Sequence, residues 1–381
     1  MTKRDVVENF DDIVTNQRIT RAAISDFIEH SKDPLDLYRN QYYVLHGSGT
    51  SGEIGSFVYS KNDFARGMAH GMGLVSFNFQ MKRKRITFLG ATNGHFAGVT
   101  MVSTSMRSAS KLIFKTKTFD INLTIHHIVD QMNAFQPDII IGYATALKIL
   151  AEKQIEGMLN VTPSIVESCG EPISPTDKEF IEKTFNCQLL NVYASTEFLY
   201  MGISKPEYGG MYLLENDLIF ELKDDHTCVT NLFNYTMPLI RYRMDDILIP
   251  VPDNERILPF TKIKEFIGRR EYTMVFTNKY GSDDIINPQT IYQFFIKYLQ
   301  RFQILQNDKQ SFIFKAVLNK GLNEFRKKEV LKEIKSKIDF ILSKKDMDNV
   351  SFDIEESKDL SIDPRTGKFR LVVKDNMNPL Q

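Results

Sequence analysis

The sequence predicts a layered α/β fold: a large N-terminal domain with mostly parallel sheets, followed by a smaller α+β domain. Three observations predict it. Between residues 61 and 192 short apolar runs alternate with amphipathic helical patterns, the texture of βαβ units. Near residue 270 that alternation gives way to a strand, helix, strand, helix, strand succession. The length of 381 residues exceeds one ordinary domain of about 150.

Composition narrows the function. Apolar residues make up 42% and charged residues 25%, enough apolar surface for a core and too much for a disordered chain. Basic and acidic side chains number 48 each, which argues against a dedicated polyanion binder. No apolar run nears the ~18 residues of a membrane span, and the start, MTKRDVVENFDD, lacks the apolar core of a signal peptide. A soluble, cytoplasmic protein with no membrane partner is expected. Cys169, Cys187 and Cys228 have no spacing of a zinc knuckle or redox pair and fit a reducing compartment.

In order along the chain, a polar, helix-patterned start leads into an extended run at residues 42 to 45. That run feeds a loop dense in glycine and hydroxyls, HGSGTSGEIG, residues 46 to 55. ITFLG (86 to 90) reads as a strand. A helix is expected to open at Asp120, with Ile121, Ile125, Ile128, Val129 and Met132 on one stripe, before the strand DIIIG (138 to 142). Ser174 followed by Pro175 and Asp177 marks a capped helix start, and QLLNVY (188 to 193) the next strand. The second domain reads as a strand at 272 to 276, a helix from about Pro288 and a strand at 312 to 318. A helix carrying Val330, Leu331, Ile334, Ile338 and Ile341 on one face and a strand at 350 to 354 complete it. The boundary is expected at 268/269, giving domains 1–268 and 269–381.

Four segments can carry chemistry. Ser48, Gly49, Thr50, Ser51 and Gly52 allow backbone N–H groups and hydroxyls to converge on a phosphate. Glu53 stands where a Walker loop needs lysine, which disfavours a conventional P-loop; a plain glycine-rich turn fits this loop equally well. YASTE (193 to 197) ends a strand, where ligands gather in open parallel sheets, yet by itself it reads better as a helix start capped by Ser195 or Thr196. In MPLIRYRMDD (237 to 246), Asp246 can accept two bonds from a ribose diol; a solvated strand face is the bland alternative. DPRTGKFR (363 to 370) is a basic turn presenting Lys368.

Taken in order, these segments resemble the motifs of the adenylate-forming superfamily of acyl–CoA synthetases, most closely its phenylacetate–CoA ligase branch. GSGTSGE resembles the pyrophosphate-binding loop, GEPIS (170 to 174) the adenine-side loop, YASTE the Tyr-x-x-Thr-Glu motif, and PLIRYRMDD the segment ending in the ribose aspartate. IGRREY (267 to 272) resembles the interdomain hinge and RTGKFR the loop bearing the adenylation lysine.

The resemblance implies a mobile C-terminal lid and a two-step reaction, ATP-dependent adenylation of a carboxylate followed by acyl transfer to a thiol. It implies Lys368, Thr196 and Glu197 as catalytic residues, with Glu197 holding Mg²⁺. Nucleotide contacts fall to Ser48 through Gly52, to Gly170, Glu171 and Pro172, to Tyr193, Ala194 and Ser195, and to Asp246 and Arg269. Tyr193 is expected to stack near adenine. Arg270 and Glu271 mark the hinge. His95, Phe96, Tyr143 and Ala144 are expected to line the pocket of an aryl or small hydrophobic acid, against the alternative that Phe96 and Tyr143 only pack the core. Cofactors are ATP, Mg²⁺ and coenzyme A, or the phosphopantetheine arm of an acyl carrier protein; a homodimer is a further expectation.

Met244 and Asp245 replace the Thr-Gly usual in relatives before the ribose aspartate, and the segment preceding the glycine-rich loop is short for that branch. Two other functions stay open: an adenylation enzyme loading a carrier protein or an amine, and a non-catalytic relative that binds a nucleotide or acyl ligand. KRKR (82 to 85) reads better as a solvated turn than as a nucleic-acid contact, so no nucleic-acid partner is expected.

Overall fold

The computed structural model describes residues 1–47, 55–72, 83–107, 109–171, 173–223, 226–244, 246, 248–264, 274–286, 296–319, 321–358, 360 and 371–374. Ser48, Gly49, Thr50, Ser51, Gly52, Pro172, Arg269, Arg270, Glu271 and Lys368 lie outside the described residues, as does the helix expected from Pro288. The chain divides into two compact units. The first comprises Met1–Gly47, Gly55–Phe119 and Val129–Arg269, while Asp120–Ile128 and Arg270–Gln381 fall in the second.

The N-terminal segment of the first unit forms three short helices, α1 (Lys3–Glu8), α2 (Phe10–Ile13) and α3 (Arg21–His30). Thr2 opens α1 with a capping box, its hydroxyl accepting from Asp5 N at 3.2 Å while Thr2 N donates to the Asp5 carboxylate at 2.7 Å. Val6, Phe10, Val14, Ile19 and Ile24 are buried and pack with the antiparallel pair β1 (Tyr42–His46) and β2 (Ser56–Ser60). β2 passes directly into α4 (Lys61–Met72), where a Cβ at Gly67 would meet Leu199 and Phe233, and one at Gly71 would fall on the Tyr200 ring. Glycine at these two positions is what lets α4 lie close on the sheet.

The succession β3 (Lys84–Gly90), α5 (Ala97–Arg107), β4 (Phe114–Asp120), α6 (Ile125–Phe135), β5 (Ile139–Gly142), α7 (Ala144–Ile155), β6 (Ile165–Cys169), α8 (Pro175–Phe185) and β7 (Gln188–Ser195) supplies the α/β layers. β8 (Leu199–Lys205), β9 (Gly210–Leu213) and β13 (Lys262–Ile263) complete an eight-stranded sheet of order β13-β9-β8-β7-β6-β5-β3-β4. β3, β5, β6 and β7 pair in parallel, whereas β7 with β8, β8 with β9 and β9 with β13 are antiparallel. β10 (Leu218–Leu222), β11 (Thr227–Asn231) and β12 (Tyr242–Met244) form a separate antiparallel sheet.

Local starts differ from the sequence expectation in one place and agree in another. Asp120 does not open a helix: its carboxylate accepts from Asn122 N at 2.8 Å and its carbonyl from Leu123 N at 3.0 Å, a turn that delays α6 to Ile125. Ser174 caps α8 as expected, accepting from Asp177 N at 3.0 Å with Pro175 in the first turn. In the basic run, Arg83 is exposed just before β3, and Lys84 and Arg85 open the strand. Arg85 pairs with Asp138 at 3.1 Å and Arg83 donates to the Phe114 carbonyl at 2.9 Å, so both guanidinium groups tie β3 to its surroundings.

The second unit holds a hairpin of β14 (Met274–Thr277) and β15 (Asp283–Ile286) and a sheet of β16 (Leu299–Gln306), β17 (Ser311–Leu318), β18 (Ser351–Glu356) and β19 (Val372–Lys374) in the order β18-β17-β16-β19. Helix α9 (Glu324–Lys344), capped by Asn323, lays Val330, Ile334, Ile338 and Ile341 on Phe302, Ile304, Phe312 and Phe314. The Phe302 and Phe314 rings stack at 4.9 Å. No helix among the described residues is long and apolar enough to cross a membrane.

Candidate active site

Because β3, β5, β6 and β7 run parallel, their carboxyl ends at Gly90, Gly142, Cys169 and Ser195 lie along one edge of the sheet. Ligands bind at such edges in open α/β sheets. Most described candidates follow these ends directly: His95 and Phe96 after β3, Tyr143 and Ala144 after β5, Gly170 and Glu171 after β6, and Tyr193 through Glu197 at the end of β7.

YASTE is not a helix start. β7 turns through Thr196, Glu197 and Phe198 into β8, with Ser195 opposite Leu199. The Ser195 hydroxyl accepts from Phe198 N at 3.1 Å, and Leu199 takes a left-handed conformation with φ of 58°. Antiparallel pairing with β8 holds the motif at the tip of a hairpin, which the local pattern does not reveal. Tyr59 donates to the Thr196 carbonyl at 2.7 Å and fixes the tip from beneath.

The hairpin tip meets the segment around β12. Tyr242 OH donates to Glu197 Oε1 at 3.2 Å, while Oε2 has no hydrogen bond among the described residues. Tyr193 OH donates to Asp246 Oδ2 at 2.8 Å, and both residues are buried. Asp246 is therefore oriented from within the protein by the Tyr193 hydroxyl. The Asp246 backbone carbonyl accepts from Thr227 at 2.8 Å, which anchors the residue to β11. Arg241 turns away to Glu221, with bonds of 2.7 and 2.8 Å.

The second group surrounds the start of α7. Glu171 Oε2 accepts from Thr145 N at 3.0 Å and caps the helix that Tyr143 precedes without a side-chain cap. Gly170 has φ of 72°, and a Cβ there would lie 3.0 Å from the Tyr143 ring. Glycine is required on both counts. Tyr143 OH accepts from Ala91 N at 3.4 Å, linking the ends of β3 and β5.

The third group, His95 and Phe96, is buried. Phe96 belongs to the core cluster of Phe88, Val99 and Ile141 and meets the edge of His46 at 4.3 Å. His95 Nε2 lies 3.0 Å from Ser31 Oγ, and its ring rests on Phe27 of α3. Burial pushes both His46 and His95 down to about 4. In the unfolded chain each imidazole takes a proton near pH 6.5, so their contribution is complete above that pH and is lost as pH falls toward 4. Each ring is worth at most roughly 3 kcal/mol over that window. Glu167, raised by burial to about 7, opposes them because its stabilising proton is lost as pH rises from about 4.5 to 7. Two histidines outweigh one carboxyl, so the urea midpoint should drop between pH 6.5 and 5, and His46→Gln/His95→Gln should flatten or reverse that drop. An unchanged slope in the double variant would refute the assignment.

Sequence reasoning passed over three residues of this region: Tyr59, Tyr242 and Glu167. Tyr242 lay inside a quoted motif without a role, and Tyr59 carried no signal. Glu167 carried one, since it is a lone acid in the strand IVESC, whose parallel neighbours on both sides bury it. Among the described residues no group of three or more His, Cys, Asp or Glu side chains could hold a metal ion.

No family model matches the sequence. Similarity lies elsewhere. Protein CapK of Staphylococcus aureus is 23% identical over 363 residues, covering 86% of this chain and 76% of that protein. A solved structure of 2-hydroxyisobutyryl-CoA ligase with 2-HIB-AMP and CoA in the thioesterification state superposes with a TM-score of 0.57 at 14% identity, over 98% of this chain and 79% of that one. The same ligase in the postadenylation state with 2-HIB-AMP gives 0.54 at 16% identity, over 98% and 79%. The chain thus has the fold of the adenylate-forming CoA ligases, the superfamily whose motifs it resembles.

Proposed function

We propose that this protein is an AMP-forming carboxylate ligase that adenylates an aryl or small acid and passes the acyl group to a thiol, coenzyme A. The observation that carries this is that Tyr242 holds Glu197 at the hairpin tip while Tyr193, on the strand leading to that tip, holds Asp246, at the carboxyl edge of the parallel strands in a fold of that class. In the first step a carboxylate oxygen bonds the α-phosphorus of ATP as pyrophosphate leaves. In the second a thiolate bonds the acyl carbon as AMP leaves. Both steps need anions brought together and their charge absorbed.

Asp246, oriented by Tyr193, would accept the ribose hydroxyls with what remains of its carboxylate. Thr196 at the hairpin tip would bond the α-phosphate. Glu197 suits Mg²⁺, because that ion is usually held by one or two carboxylates together with nucleotide phosphates rather than by a protein cage. The ion would neutralise charge on the phosphates. By resemblance, Ser48 to Gly52 cradle the β- and γ-phosphates, Arg269 contacts the nucleotide and Lys368 supplies the cation at the α-phosphate. Arg270 and Glu271 would serve as hinge.

The test is exchange of labelled pyrophosphate into ATP across a panel of aryl, aliphatic and amino acids. Acid-dependent exchange is expected, with AMP released when a thiol is added. ATP binding without exchange for any acid would instead favour a non-catalytic nucleotide-binding protein, and AMP release only with a carrier protein or an amine would change the acceptor.

A further inference from the structure

We propose that Glu167 recognises a hydrogen-bond donor, an amino or hydroxyl group, at the far end of the acid this protein adenylates. The proposal rests on the ligase function above and narrows its substrate class. Glu167 is the central residue of β6, between Ile141 of β5 and Leu190 of β7 in register. It is 7% exposed. Among the described residues it has no hydrogen bond and no ion pair, and burial alone raises its pKa to about 7 with no cation acting on it.

Side chains alternate along a strand, so Glu167 shares a face with Cys169. Cys169 packs on one side with the cluster of Phe88, Phe96 and Ile141 and on the other with that of Val192 and Tyr200. In register Glu167 lies beside Ile141 of the first cluster, and on the other side beside Leu190, two residues before Val192 of the second, so it stands on β6 between the two clusters. From there the strand leads up to Gly170, where β6 reaches the edge shared by Tyr143 and the YASTE hairpin. At about 3.3 Å per residue, Glu167 lies some 10 Å below Gly170 along the strand. An acid with its carboxyl at the edge would thus point its far end toward this carboxyl group.

A buried acid with no partner destabilises the fold. Such a local cost is expected at functional sites, where a ligand completes the interaction. An apolar acid would leave Glu167 unsatisfied; an acid ending in a hydroxyl or an amine would pair with it. A site built on such a bond rejects the analogue lacking the donor far more strongly than an apolar pocket rejects a missing methylene.

The experiment uses the whole protein and non-hydrolysable acyl-sulfamoyl adenosines of para-methyl, para-hydroxy and para-aminomethyl benzoic acids, with their aliphatic counterparts. Binding is measured by calorimetry, pyrophosphate exchange with the free acids, and stability by thermal midpoint. The hydroxy or aminomethyl compound is expected to bind roughly 10⁴-fold tighter than the methyl compound. Glu167→Leu should reverse that order and raise the thermal midpoint. Glu167→Gln should retain a hydroxyl preference and lose an ammonium preference, which separates the two donors. Methyl compounds binding best to the native protein, or an order unchanged in Glu167→Leu, would overturn the proposal while leaving the ligase function standing. No binding by any analogue and no exchange with any acid would remove both.

Discussion

Lys368→Ala is expected to lower acid-dependent pyrophosphate exchange by about 10²–10³-fold, the scale seen when one preorganised transition-state donor is removed. The reason is local to the chemistry. As the carboxylate oxygen approaches the α-phosphorus, negative charge builds on the phosphoryl oxygens and on the departing pyrophosphate, and an ammonium group placed there stabilises that charge more than it stabilises bound ATP. Thioester formation from supplied acyl-adenylate should fall by no more than a few fold in the same variant, because in the proposed mechanism the lysine serves only the first step. A variant that keeps native exchange, or loses both half-reactions alike, would argue against the proposed division of labour.

The second large effect concerns stability. Asp284→Ala or Lys345→Met should each destabilise the second unit by about 3–5 kcal/mol, the usual consequence of stranding one member of a buried ion pair. Lys345 Nζ lies 3.1 Å from Asp284 Oδ1, and each side chain is only 1% exposed. The aspartate also accepts from the backbone N–H groups of Ile125 at 3.1 Å and Ile285 at 2.7 Å, so its removal leaves two donors and one cation without their acceptor. Asp284→Leu combined with Lys345→Met should recover most of the loss, since an apolar pair of similar volume often replaces a buried salt bridge at little cost. Denaturant midpoints of the two single variants and the double variant test this, and additive losses in the double variant would contradict it.

Much of the fold was legible because it rests on local patterns. ITFLG, DIIIG and QLLNVY became β3, β5 and β7, and the Ser174 start and the apolar face from Val330 to Ile341 reappear in α8 and α9. YASTE was misread for a physical reason. Ser, Thr and Glu in succession suit a helix start, and only pairing with β8, whose residues lie further along the chain, turns them into a hairpin tip. Asp120 was misread in the same way, since an Asx turn and a helix cap draw on the same side chain. The pairing of Arg85 with Asp138 was not legible because its acceptor is distant in sequence.

The sequence by itself determined the inventory of reactive groups, their order along the chain and the alternation that sets parallel strands side by side, because propensity, capping and period act over a few residues. The tertiary structure alone decided which groups meet: Tyr193 with Asp246, Tyr242 with Glu197, Glu171 with the start of α7, and a buried carboxyl on β6. Those contacts join segments far apart in the chain, and the burial that changes a carboxyl or an imidazole comes from neighbouring strands and helices that no local pattern specifies.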